Sequence, residues 1–270
     1  MRETGVVGLG VVGGTIGSAF EAAGVACRGY DRYRGIGSPE SLSGCDVVFL
    51  CVPTPSGVDG AHDLTEVWAA VETVEPHLPT EAIVAVKSTV PPGTCDRLAL
   101  AFPRIRFASV PEFLVATRAL DSFLHPDRII VGAHEPEVAT AVAERLRLVI
   151  PTAPVIFLTP TEAELVKLCS NALLAAKVSV ANELAEVCRS FGVCWSRVQG
   201  PVGLDRRIGP DHLTVTPERG FGGECLPKDL DGLIAASRAS GYAAPLLEAI
   251  AEFNRQIRGA ALNAAPPLTA

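Results

Sequence analysis

The residues best suited to chemistry stand together in Gly220-Phe221-Gly222-Gly223-Glu224-Cys225-Leu226-Pro227-Lys228-Asp229, a glycine-rich loop that ends in a thiol, a cation and a carboxylate. Three glycines free the backbone to take positive φ and let a ligand or another segment come close. Pro227 followed by Asp229 suits the first turn of a helix, which places Cys225 just before a helix N-terminus. The positive end of that helix and the nearby Lys228 favour the thiolate, the nucleophilic form of the side chain. A buried, inert cysteine in a turn is the ordinary alternative for a free thiol. Lys167 and Asn171, four apart on a long helical pattern, share one face. Their neighbours are strongly apolar, and a desolvated lysine is a common catalytic device, whereas a solvated stripe is the usual fate of such a pair.

These residues need a scaffold, and the first half of the chain supplies its signature. Val6 to Leu9 is a short apolar run that meets Gly8-Leu9-Gly10-Val11-Val12-Gly13, and a helical pattern follows from Thr15 to Ala23. In that setting Gly8 makes a tight turn, Gly10 admits a pyrophosphate to the backbone, Gly13 lets helix and strand pack, and the helix N-terminus holds negative charge. A second strand, roughly Ala26 to Tyr30, ends at Asp31, 21 residues after Gly10, where a carboxylate would take the ribose hydroxyls of NAD. Arg32 and Arg34 could accept a 2′-phosphate, but Asp31 would repel it, so NAD is favoured over NADP. A tight turn with no cofactor is the plain alternative for the glycines.

Further strands are expected at Val47 to Val52, Ala82 to Val86, Arg106 to Ser109, Arg128 to Val131 and Val155 to Leu158, with helices at Leu64 to Val74 and Pro136 to Leu148. Strand and helix alternate, which predicts a doubly wound parallel sheet of Rossmann type with helices on both faces. Pro53-Thr54-Pro55, Ser88-Thr89-Val90-Pro91 and Pro111-Glu112-Phe113 each follow a strand, so they should share the ligand-binding rim with the glycines. That common position makes Thr89 and Glu112 candidates for contact with substrate or water. Beyond Thr159 the pattern becomes all-helical: one long helix from Thr161 to about Phe191, an irregular stretch from Val198 to Thr216, and helices from Lys228 to Ala239 and Ala244 to Arg258. The organisation expected is an NAD-binding domain over 1–159, a helical dimerisation domain carrying Cys225 over 160–258, and a disordered tail over 259–270.

Composition narrows the function classes. With 270 residues, 48% of them apolar, the chain can bury a full core, and its net charge of −7 without a basic cluster argues against a nucleic-acid surface. The eight cysteines include no Cys-x-x-Cys pair and no zinc-finger spacing, so no metal site is indicated and free thiols in a reducing cytoplasm are expected. No signal peptide and no uninterrupted apolar span is present, which predicts a soluble protein away from membranes.

Taken in order, the fingerprint, Val52-Pro53-Thr54-Pro55, Lys87-Ser88-Thr89-Val90-Pro91-Pro92-Gly93-Thr94, Pro111-Glu112-Phe113-Leu114, His125-Pro126-Asp127-Arg128, the Lys167/Asn171 helix and the cysteine loop resemble the UDP-glucose/GDP-mannose 6-dehydrogenase family from about Val6 to Arg258. The resemblance implies oxidation of a primary alcohol to a carboxylate with two NAD, through a thiohemiacetal and a thioester on Cys225. It implies that Lys167 and Asn171 stabilise the oxyanion, that Asp229 and Glu112 handle protons and the hydrolytic water, and that Thr89 positions that water. It places Gly8, Gly10, Val11, Val12, Gly13, Asp31, Arg32, Val52, Pro53, Thr54, Ser88 and Thr89 at the cofactor. Phe113, Leu114, Phe221, Gly222 and Gly223, with Lys167, Asn171 and Cys225, fall at the substrate, and Arg207 reaches the site of a neighbouring subunit in a homodimer.

The sequence also departs from the family. Members carry a third, C-terminal domain that grips the nucleotide, and this chain ends where it would begin; Val110 replaces a usual Asn, and Val115-Ala116-Thr117 replaces a segment that usually contains Glu-Gly. A smaller or unusual alcohol substrate is the simplest expectation, although a domain supplied in trans or a truncated chain would give the same sequence. Two other classes stay open: a two-electron NAD-dependent dehydrogenase of the hydroxyacid or 6-phosphogluconate type, which has no use for the cysteine loop, and a non-catalytic NAD-binding subunit that needs a partner.

Overall fold

Apolar runs in the first half are buried on both sides because helices cover both faces of the sheet they form. The computed structural model describes residues 3–263. Its strands are β1 (Glu3–Val7), β2 (Cys27–Tyr30), β3 (Cys45–Leu50), β4 (Ile83–Val86), β5 (Arg106–Ser109), β6 (Ile129–Gly132) and β7 (Val155–Leu158), arranged in the order β2-β1-β3-β4-β5-β6-β7. Helices α1 (Val11–Ala22) and α5 (Pro136–Arg147) pack Ile16, Phe20, Val142 and Leu146 against one face. Helices α2 (Thr65–Val74) and α3 (Thr94–Ala101) pack Val67, Val71 and Leu98 against the other.

The first five strands run parallel, but β6 pairs antiparallel to β5 at Ser109↔Gly132 and β7 follows β6. The expected doubly wound parallel sheet is thus present, with one antiparallel pairing at this edge. A parallel return needs a crossover along the sheet, and the longest helix in the connection, α4 (Ala119–Leu124), has six residues and spans roughly 9 Å. The chain therefore turns back at the end where β5 stopped.

Helix α6 (Pro160–Ser190) is 31 residues long and is followed by α7 (Ser196–Gly203), α8 (Leu226–Ala239) and α9 (Pro245–Asn263). Part of the stretch expected to be irregular is thus helical: buried Trp195 precedes α7 and donates its indole N–H to the Leu213 carbonyl at 2.8 Å, fixing the turn. Helix α9 passes Gly259 and Ala260 to reach Asn263, so the start of the expected tail is helical, its alanines favouring continuation; 264–270 lie outside the described residues. Two compact units result. Among the described residues the first comprises 3–55 and 62–167, and the second 56–61 and 168–263. Among them too, no helix is long and apolar enough to cross a membrane.

Candidate active site

In the first unit, the turn out of β1 requires glycine. Gly8 has φ +83°, and a Cβ there would lie 2.7 Å from the Cys51 carbonyl oxygen. A Cβ on Gly13 would lie 1.9 Å from the Gly8 oxygen, whereas Gly10, the N-cap of α1, has nothing within 4 Å of that position and no side chain capping the helix. A phosphate can therefore approach the α1 N-terminus, beside Val11 and Val12. Asp31 is 8% exposed; its Oδ2 accepts the Leu9 N–H at 2.8 Å, and its Oδ1 accepts those of Tyr33 and Arg34 at 3.0 Å each. Burial pushes its carboxyl up, but those three N–H groups outweigh it and hold the group below its ordinary value. Oδ2, with one N–H on it, keeps a lone pair for a ribose hydroxyl. Arg32, expected beside the cofactor, is instead bound by the Glu66 carboxylate at 2.7 Å and by the Tyr33 hydroxyl. These residues fit NAD without a 2′-phosphate.

The strand-end loops meet as the topology requires. Thr54 donates its hydroxyl to the Thr89 carbonyl at 2.7 Å and Ser88 donates to the Val52 carbonyl at 2.6 Å, so Val52, Pro53, Thr54, Ser88 and Thr89 form one rim. Glu112, at the end of β5, accepts the Lys167 ammonium on Oε1 at 3.0 Å and the Leu114 N–H on Oε2 at 2.6 Å. The Phe113 ring carries Arg128 at 4.5 Å and Lys167 at 5.5 Å from its centroid. Lys87 also belongs here. It is buried, reaches the Pro111 carbonyl at 3.4 Å, and shares with Glu112, Phe113 and Arg128 the lining of a cavity of about 40 Å³, large enough for water. Burial pushes its ammonium down to about 8, with the Glu112 carboxylate pulling the other way. Its significance was hidden in sequence, although a lysine directly after buried Val86 was a signal.

In the second unit, Cys225 is the N-cap of α8 and is exposed, the placement expected of it. Asp229, in the first turn of α8, is buried; it accepts the Asn171 amide at 2.6 Å and the Lys228 ammonium at 2.6 Å. Phe221 is buried against Ala172, Leu230 and Ile250, while Gly222 and Gly223 continue the loop to the thiol. Asn171 follows Lys167, the last residue of the first unit, by one turn along α6. Arg207, by contrast, is 89% exposed and paired with Asp205 at 2.6 Å, away from these groups in its hydrogen bonding. Two functional candidates that pattern reasoning passed over, Asn182 and Asn254, hold the loop by its backbone. Asn254 interrupts the apolar stripe of Ile250 and Ala251, which was the available signal.

Comparisons with known proteins match both halves of the chain. Residues 32–148 match the NAD binding domain, and 161–256 the central domain, of the UDP-glucose/GDP-mannose dehydrogenase family. A UDP-glucose 6-dehydrogenase of Haloferax volcanii is 37% identical over 242 residues, covering 83% of this chain and 55% of its own length. One from Pseudomonas aeruginosa is 40% identical over 228 residues, covering 78% and 49%. The chain thus spans about half the length of these curated relatives. The structure of a UDP-glucose dehydrogenase from Pyrobaculum islandicum superposes with a TM-score of 0.86 at 32% identity, over 95% of this chain and 68% of that one.

Proposed function

Since this chain belongs to the UDP-glucose/GDP-mannose dehydrogenase family, we propose that it oxidises the primary alcohol of a sugar, sugar nucleotide or smaller nucleotide-like substrate to a carboxylate with two NAD. The observation that supports this most is the exposed Cys225 at the N-terminus of α8, one turn from the buried Asp229 and its Asn171 and Lys228 partners. NAD, when bound, accepts a hydride in each of two oxidations. After the first, the Cys225 thiolate adds to the aldehyde carbon, and the resulting alkoxide takes hydrogen bonds from Lys167 and Asn171. Loss of the second hydride leaves a thioester. Water then attacks its carbonyl, expels the thiolate and supplies the second oxygen of the acid. Glu112 and Asp229 hold and pass the protons, and Thr89 orients the water. Each two-electron step is balanced by one NADH, so the sum is alcohol, water and two NAD giving acid, two NADH and two protons.

The proposal includes a homodimer in the cytoplasm, where a reducing milieu suits eight free cysteines. A panel of primary alcohols that includes UDP-glucose, assayed for NADH and acid together, tests the activity. Two NADH per acid, with NAD preferred over NADP, is the expected result. One NADH per turnover and no acid would instead favour two-electron chemistry of the hydroxyacid type.

A further inference from the structure

The loop that presents Cys225 has no regular secondary structure, so its backbone polar groups must be satisfied from elsewhere. Two buried asparagines do this. Asn254 on α9, 6% exposed, accepts the Phe221 N–H on Oδ1 at 2.8 Å and donates its amide to the Phe221 carbonyl at 3.0 Å. Asn182 on α6, 1% exposed, accepts the Gly220 N–H at 3.1 Å and donates to the Val178 carbonyl of its own helix at 2.9 Å. The first pattern is that of a strand residue, a single side-chain amide closing both polar groups of one peptide residue. The packing leaves no room for a Cβ at two positions of the loop: one on Gly220 would lie 2.2 Å from Asn254 Oδ1, and one on Gly222 would lie 2.8 Å from the Arg258 guanidinium. Gly220 also takes φ +57°. Ionised aspartate loses the donor, glutamine adds a methylene and leucine loses both arms, so none of the three keeps the clamp.

We propose that Asn254 is a positioning residue for the nucleophile: by clamping Phe221, four residues before Cys225, α9 fixes the loop that delivers the thiol to the N-terminus of α8. The inference rests on Cys225 being the nucleophile, and it adds a determinant far along the chain from every group assigned to the reaction. Displacement of a reacting group by about 1 Å can cost about a hundredfold in rate. Loss of the clamp should therefore appear in kcat and spare the binding of NAD, whose expected contacts lie in the other unit.

Two measurements on the full chain decide it. Hydrogen exchange reads the clamp without the reaction: in Asn254→Leu, exchange of the Gly220–Glu224 amides should rise by about tenfold or more, while Gln256→Ala on the same helix leaves it unchanged. Kinetics on the most active alcohol reads the function. Asn254→Leu and Asn254→Asp at pH 8 should lose about tenfold or more in kcat with KM for NAD within about twofold. Asn254→Asp should recover relative to the unmodified protein as the pH falls, because burial favours the neutral carboxyl, which regains the donor to the Phe221 carbonyl. This rescue keeps the test informative if Asn254→Leu folds poorly. Unchanged loop exchange, or unchanged kcat in a variant whose loop is loosened, overturns the proposal. If Cys225→Ala is as active as the unmodified protein, the fault lies instead in the assignment of the nucleophile, and the exchange result stands by itself.

Discussion

Buried charge governs the residues around Glu112. Lys87 and Lys167 both stand near this carboxylate, and only Lys167 forms a short ion pair with it, at 3.0 Å. The Lys87 ammonium, pushed from 10.5 to about 8 by burial, carries a cost in the folded state that is fully present below pH 8. Between pH 8 and 10.5 the unfolded chain keeps a proton that the folded one has released, so stability rises with pH across that window. The thiols of buried Cys45 and half-buried Cys27 and Cys51, pushed up by desolvation to about 11, 11 and 12, act in the opposite direction above pH 9, but they are common to any Lys87 variant. The stability advantage of Lys87→Met over the unmodified protein should therefore shrink by about 3 kcal/mol as the pH rises through the window, at about 1.4 kcal/mol per unit. Urea unfolding at several pH values measures it, and a pH-independent difference would contradict the assignment. Cys225, Asp31 and the fingerprint glycines were legible in sequence because their spacing is itself the signal. Lys87 and Asn254 were not, since their roles depend on which backbone carbonyl or N–H the fold brings to them.

At the level of elements, the start of α6 is anchored by a carboxylate. Glu164, 2% exposed, accepts the Gly93 N–H at 2.6 Å and the Cys95 N–H at 2.9 Å at the N-terminus of α3. Burial pushes its carboxyl up, though these N–H groups oppose the shift. Glu164→Ala would leave two N–H groups of α3 without their acceptor and should lower stability by about 2–6 kcal/mol, at about 1–3 per group; Glu164→Gln, which retains one acceptor, should cost roughly half. Chemical denaturation decides between this and a surface-like effect near zero. The long helix was legible because its apolar pattern persists for many turns. Short α3, α4 and α7 were not, for α3 buries only Thr94, Cys95 and Leu98, and α7 contains Pro201. The reversal at β6 was equally hidden, since direction is set by the length of the connection and not by any residue within the strand.

On the scale of the whole molecule, α6 and the turn after it leave Leu173, Val180, Leu184, Val187 and Phe191 exposed, a stripe whose spacings of seven, four, three and four residues match a helix–helix seam. A second copy of the chain is the proposed cover, and the exposed Arg207 is the proposed donor to the partner's site. Light scattering should give a dimer, and Val180→Lys with Val187→Lys should give a monomer. Mixing Cys225→Ala with Arg207→Ala under exchange conditions should restore about a quarter of full activity, because half the dimers are mixed and each holds one intact site. Self-contained sites would restore none. The central claim is that one chain performs both oxidations through a covalent thioester on Cys225. It is tested most directly by single turnover of Cys225→Ser with the most active alcohol and NAD, in the presence of an aldehyde trap. The account predicts one NADH per site, trapped aldehyde and no acid at the normal rate; acid formation at the unmodified rate would contradict it.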